Sequence, residues 1–171
     1  MTIKEAMKEY FEKQANNHIS KYNSLPMVPY QTEKKTLIYK DAPDEEEWIQ
    51  WKPVHAKTIS VKHLCPILTQ FYSSYYYGSL EGNYNGVNYE FPQICNEAEA
   101  IQQAKWALLN GEELFPDEDT AVIAICEKDG ADGLLLVYEQ PTGRLFIWNG
   151  EFNTREYLDV SLVGLIRSLD I

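Results

Sequence analysis

The sequence predicts an α+β domain in which helices flank a mainly antiparallel sheet. Three observations carry that expectation. Apolar residues recur at helical spacing near both ends and in the middle of the chain. Between them lie strand-length apolar or alternating runs separated by Asn85-Gly86, Asp129-Gly130 and Pro141-Thr142-Gly143. Turns that short leave neighbouring strands no choice but antiparallel pairing, and flanking helices then close the core.

The first helix is read from Ile3, Met7, Tyr10, Phe11, Ala15, His18, Ile19 and Tyr22, which share one stripe opposite Lys and Glu. Thr2 and Glu5 have capping-box spacing at its start. Pro26 and Pro29 force an extended passage, and residues 40–47 form a polar, acidic stretch ending at Trp48. Trp51-Lys52-Pro53 reads as a short strand ended by proline. Residues 63–77 return to helical spacing, with Pro66 in the first turn, Leu64, Ile67 (or Leu68), Phe71 and Tyr75 on one face, and Gly78 as the C-cap. Tyr75, Tyr76 and Tyr77 cannot all face inward on one helix, so at least one is expected at the surface.

Residues 78–91 read as a hairpin about a type I′ turn at Asn85-Gly86, with Val87, Tyr89 and Phe91 alternating with polar residues. Asn96 and Glu99 cap a further helix whose apolar stripe is Ile101, Ala104 and Leu108 and whose stop is Gly111. Strands follow at residues 121–126, 134–138 and 144–148. Leu158, Leu162, Leu165, Ile166 and Leu169 then form a final amphipathic helix. With 171 residues, 44% of them hydrophobic, the chain suits one domain over residues 1–171. It carries no internal repeat and no low-complexity linker.

Charge narrows the function classes. The net formal charge is −11, and it is unevenly placed. Residues 1–57 balance nine Lys against nine acids, whereas residues 97–171 hold five basic and fifteen acidic groups. Such a surface repels phosphate backbones and anionic lipid, which disfavours nucleic-acid binding and direct lipid insertion. It attracts a basic protein surface, with an attraction that salt weakens; solubility alone also accounts for acidity. Three separated cysteines, Cys65, Cys95 and Cys126, suit a reducing cytoplasm better than a disulfide framework. No signal-peptide apolar region is read in residues 1–10, and no apolar run reaches the roughly 20 residues a membrane helix needs.

Catalytic and metal signatures are weak. His63 and Cys65 stand two apart, a spacing that points to different helix faces. The serines lack a Gly-x-Ser-x-Gly context, and His18, His55 and His63 have no metal-ligand spacing. Asp129, Asp132 and Glu139 do not match a calcium loop, and Gly78, Gly82 and Gly86 are followed by no phosphate-binding Lys. No cofactor is implied. Clustered carboxylates occur at Asp44, Glu45, Glu46 and Glu47, at Glu112 and Glu113, and at Asp117, Glu118 and Asp119. Acid/base hydrolysis with such groups needs one of them in an apolar pocket, which polar loops do not offer. With Trp48 beside them they form the candidate partner-binding set, as aromatics anchor and charges orient protein contacts. The same aromatics serve equally as the rim of a core.

In order along the chain, several features combine. They are the amphipathic helix leading to Ser24-Leu25-Pro26, Trp51-Lys52-Pro53, Thr69-Gln70-Phe71-Tyr72-Ser73-Ser74, Gly78 with its hairpin, Val122-Ile123-Ala124, Thr142-Gly143-Arg144-Leu145 and the leucine-rich terminal helix. In this order the chain resembles the Syd family of the SUKH superfamily. The resemblance implies a SUKH/Syd-like α+β single domain without enzymatic activity. It also implies docking of an acidic concave face on the basic cytoplasmic loops of the SecY translocon, which would put the chain in the cytoplasm, peripheral to the inner membrane through its protein partner. Those loops are rich in Lys and Arg. Other members of the superfamily are immunity proteins that cover toxins, often nucleases, so a basic toxin domain is the rival partner. The family's acidic positions form no tight motif, so no contact residue transfers.

Overall fold

Thr2 and Glu5 do form a capping box: the Thr2 hydroxyl accepts from the Glu5 amide at 3.2 Å, and the Glu5 carboxylate accepts from the Thr2 amide at 2.7 Å. From there α1 (Ile3–Tyr22) runs to a left-handed C-cap at Asn23. The computed structural model describes residues 1–29, 36–37 and 48–171. In it α1 buries Ile3, Ala6, Met7, Tyr10, Phe11 and Gln14, while Ile19 and Tyr22 stay exposed. The stripe therefore reaches the core only up to Gln14, over the part of the helix that packs against α2 (Pro66–Tyr72) and the C-terminal helix.

The prolines at 26 and 29 bound β1 (Met27–Pro29), which pairs antiparallel with β2 (Trp48–Gln50). Trp51 continues from β2 into the core, its amide donating to the Pro26 carbonyl at 3.0 Å. Next come β3 (Val54–His55), α2 (Pro66–Tyr72) and β4 (Tyr75–Tyr76), with β3 and β4 paired. Here two expectations fail. The helix ends at Ser73, well before Gly78, and Tyr75, Tyr76 and Tyr77 are all buried. The Ser74 hydroxyl bonds back to the Gln70 carbonyl at 2.5 Å and closes the last turn. The chain then runs extended, so successive tyrosines enter packing on both of its sides.

The main sheet has six strands in sequence order: β5 (Glu81–Tyr84), β6 (Val87–Glu90), β7 (Thr120–Lys128), β8 (Ala131–Glu139), β9 (Leu145–Asn149) and β10 (Thr154–Tyr157). Every neighbouring pair is antiparallel. Asn85 and Gly86 both have positive φ, as the predicted β5–β6 turn requires. The last strand, β10, is the one the pattern did not announce: all four of its residues are exposed, so it carries no alternation. At the other edge, Asn83 exchanges two backbone hydrogen bonds of 2.8 Å with Asp170, so the C-terminal tail covers β5. Gly82 allows this approach, since a Cβ there would lie 2.6 Å from the Asp170 carbonyl oxygen.

Between β6 and β7 the chain forms α3 (Glu97–Leu114), capped by the Asn96 side chain as expected. Gly111 does not stop this helix. It lies inside the helix where the backbone packs against the start of β7, and a Cβ would sit 2.1 Å from the Thr120 carbonyl oxygen. In an exposed helix, Gly to Ala gains about 1 kcal/mol. Gly111→Ala is expected to reverse that sign and destabilise by about 1–3 kcal/mol in urea unfolding, because backbone cannot yield as a side chain does. A stabilised variant would show that α3 can move away from β7 at little cost.

One main core joins residues of α1, α2, α3, the helix α4 (Leu162–Ser168) and one face of the sheet. It contains Tyr10, Tyr72, Tyr77, Tyr89 and Tyr138. Burial pushes the Tyr10 and Tyr138 phenols up to about 12 and raises Tyr72, Tyr77 and Tyr89 as well. The folded chain holds these protons more tightly than the unfolded chain, whose tyrosines titrate near about pH 10. Stability is therefore full below about pH 10 and falls as pH rises through the raised values. Phenolate absorbance and loss of near-ultraviolet dichroism should coincide in an alkaline titration. Ionisation of the core tyrosines in a chain that stays folded would contradict this packing.

Candidate functional site

The sheet has a second face. Phe115, Val137 and Phe146 form a separate small cluster there, with Leu114, Val122, Leu135 and Trp148 packed around it. Arg155 on β10 lies over this cluster, its guanidinium 4.5 Å from the Phe115 ring centre and 4.8 Å from that of Phe146. The same guanidinium grips Glu118 with two hydrogen bonds of 2.8 and 2.6 Å. Those bonds hold the Glu118 carboxyl below the usual carboxylate range.

Toward β5 and β6 this face turns acidic. Registers Glu81↔Glu90 and Glu90↔Ile125 place Glu81, Glu90 and Ile125 on one side of three adjacent strands, and Glu127 follows Ile125 at the strand period. A bulge between Cys126 and Lys128 sets Asp132 and Gly133 against Glu127, with Gly133 at φ 71°. The bulge brings Asp132 to the same hollow, about 400 Å³ in volume, that Glu81, Glu90 and Glu127 line. No Lys or Arg lines it among the described residues. The neighbouring Lys128 is turned to Glu156, with Nζ–O distances of 3.0 and 2.9 Å. The core fixes this arrangement: the buried Tyr10 hydroxyl donates to the Glu81 carbonyl at 2.7 Å and accepts from the Glu81 amide at 3.0 Å.

Two further hollows meet the acidic one at Glu90. A groove of about 650 Å³ runs between the end of α1, the β1–β2 pair and the β5–β6 hairpin, lined by Trp48, Tyr22, Met27 and both Glu81 and Glu90. Trp48 is 62% exposed in it. On the other side, α3 and β7 enclose a groove of about 410 Å³ lined by Glu90, Trp106, Ala107, Val122, Ile125 and Leu135.

Of the residues singled out from sequence, Trp48 stands in the groove that adjoins the acidic hollow, where His18 and Lys21 also line the wall. Glu112 and Glu113 are exposed on the last turn of α3 and Asp117 in the turn after it. Glu118 is engaged with Arg155, and Asp119 accepts a 2.6 Å hydrogen bond from Gln140, which also ties the Cys65 amide and the His63 carbonyl. The run Asp44, Glu45, Glu46 and Glu47 lies outside the described residues. Glu81, Glu90 and Glu127 were not singled out, and Asp132 was weighed only as a calcium ligand. The signal that could have found them is Ile125, an apolar residue at a solvent-phase position beside Glu127.

Among the described residues no group of three or more His, Cys, Asp or Glu is placed to hold a metal ion. The His18 Nδ1 lies 2.9 Å from the Ser24 carbonyl, and the His55 ring lies 4.9 Å from that of Tyr75. No described helix is long and apolar enough to cross a membrane. No protein-family model matches the chain, and no curated protein matches its sequence.

Proposed function

We propose that this chain is a non-catalytic binding domain that docks its acidic concave face on a Lys/Arg-rich protein segment. The observation that carries the reading is the hollow of Glu81, Glu90, Glu127 and Asp132, with no Lys or Arg in its lining among the described residues. Strand register fixes where the four acidic side chains leave the sheet, so their charges are gathered at one contact. Trp48 at the adjoining groove adds an aromatic anchor.

The resemblance to the Syd family makes the basic cytoplasmic loops of the SecY channel the first partner to test, with the chain cytoplasmic and held at the membrane through that protein. Membranes containing SecY should retain the chain at low salt and release it at high salt. Absence of salt-sensitive retention counts against this partner. Capture instead by a basic toxin domain encoded beside this chain, with rescue of toxicity on co-expression, assigns the same face to immunity.

A further inference from the structure

We infer that the face binds an amphipathic segment: a basic block over the acidic hollow, followed by large apolar side chains seated in the groove between α3 and β7. This rests on the binding reading above and specifies the chemistry of the partner. Two exposed apolar side chains border that groove, Trp106 at 49% and Ile125 at 55% exposure, with half-buried Val122 and Leu135 behind them. Their neighbour in register is a carboxylate, since Glu90 stands directly opposite Ile125. Glu90 lines both hollows, so the acidic and apolar surfaces are continuous. A segment that satisfies both needs a cation and a large apolar residue about 5 Å apart, which is positions i and i+3 or i+4 on a helix.

The charge of the face selects the occupant. A second copy would bring its own excess of acid, in a chain of net charge −11, against Glu81, Glu90, Glu127 and Asp132. Anionic lipid is repelled for the same reason. A purely basic segment satisfies the carboxylates but leaves Trp106 and Ile125 in water, where covering them releases apolar surface from solvent. A basic-then-apolar segment satisfies both.

The test uses two synthetic peptides of equal charge: a Lys-Arg-Lys-Arg block followed by two Leu within one helical turn, and its twin with Ser in place of Leu. Binding to the full chain is measured by calorimetry at low salt. The Leu peptide should bind on the order of tenfold tighter or more. Trp106→Ala and Ile125→Ser should each abolish that ratio; the Ser twin's affinity should stay unchanged in Trp106→Ala, whose side chain lines the apolar groove and not the acidic hollow. Both side chains are exposed, and an unchanged melting temperature verifies that each variant folds. Ile125→Lys should weaken both peptides by repulsion. Equal binding of the two peptides to the unmodified chain, or a ratio that survives both variants, overturns the amphipathic inference and leaves the acidic-face reading standing. Binding of neither peptide removes the acidic-face reading as well.

Discussion

Trp51→Ala is expected to cost about 3–5 kcal/mol, a large share of the roughly 5–15 kcal/mol that holds a domain of this kind together. Trp51 is 2% exposed and meets the Phe11 ring edge-on at 6.0 Å, so its indole joins the end of β2 to the main core. Its indole N–H finds no acceptor among the described residues. Trp51→Phe should therefore cost much less, about 1–2 kcal/mol, since lost ring volume is partly offset by removing an unsatisfied donor. Gly78 supplies the control. A Cβ there would lie 2.9 Å from the indole Cε2, so Gly78→Ala should destabilise the unmodified chain by about 1–3 kcal/mol. In the Trp51→Ala background the same change should cost close to nothing. Urea unfolding of the four chains measures that coupling directly. Additive costs would show that Gly78 is not there to make room for the indole.

The same pair explains what sequence could and could not disclose. Trp51-Lys52-Pro53 and the tyrosines after α2 stand out as aromatic, and helical spacing puts at least one of the tyrosines at the surface. Yet Trp51, Tyr75, Tyr76 and Tyr77 are interior. Local signals that act within a few residues were legible: the Thr2–Glu5 box, the Asn85-Gly86 turn and the Asn96 cap. The end of α2 was not, because Tyr75 keeps helical spacing with Phe71 while a pairing with Val54 and His55 draws it into a strand. That pairing is set by distant residues, and tertiary contact outweighs spacing there. Gly111 misled for a related reason, since a glycine chosen for close approach looks the same in sequence as one that ends a helix.

The acidic hollow lay further from view. Its four carboxylates come from β5, β6, β7 and β8, and only strand register and one bulge bring them together. The runs that were visible, Glu112-Glu113 and Asp117-Glu118-Asp119, are dense because they stand in a helix end and a turn, where solvent accepts charge freely. Two of those five serve folding through Arg155 and Gln140. Density of acids along the chain therefore measures exposure, and concavity decides where acids act together.

Replacing Glu81, Glu90 and Glu127 by Gln should weaken binding to a basic segment on the order of 100-fold at low salt. The matched control replaces Glu112 and Glu113 by Gln and Asp117 by Asn, three charges removed from the α3 end. Both variants move the net charge from −11 to −8, so a contribution from the overall field of the protein is equal in each. If the hollow is the docking site, the control should bind within about threefold of the unmodified chain, and mainly its association rate should change. The hollow variant should also lose most of its salt dependence, because the charges that neutralise the partner are gone. Folding is not at risk: Glu81, Glu90 and Glu127 are exposed, and removing like charges from one hollow relieves repulsion. Equal weakening in the two variants would mean that the excess of acid acts at long range and that no particular concavity holds the partner. Weakening confined to the control would move the contact to the end of α3, which carries two of the three acidic runs read from the sequence.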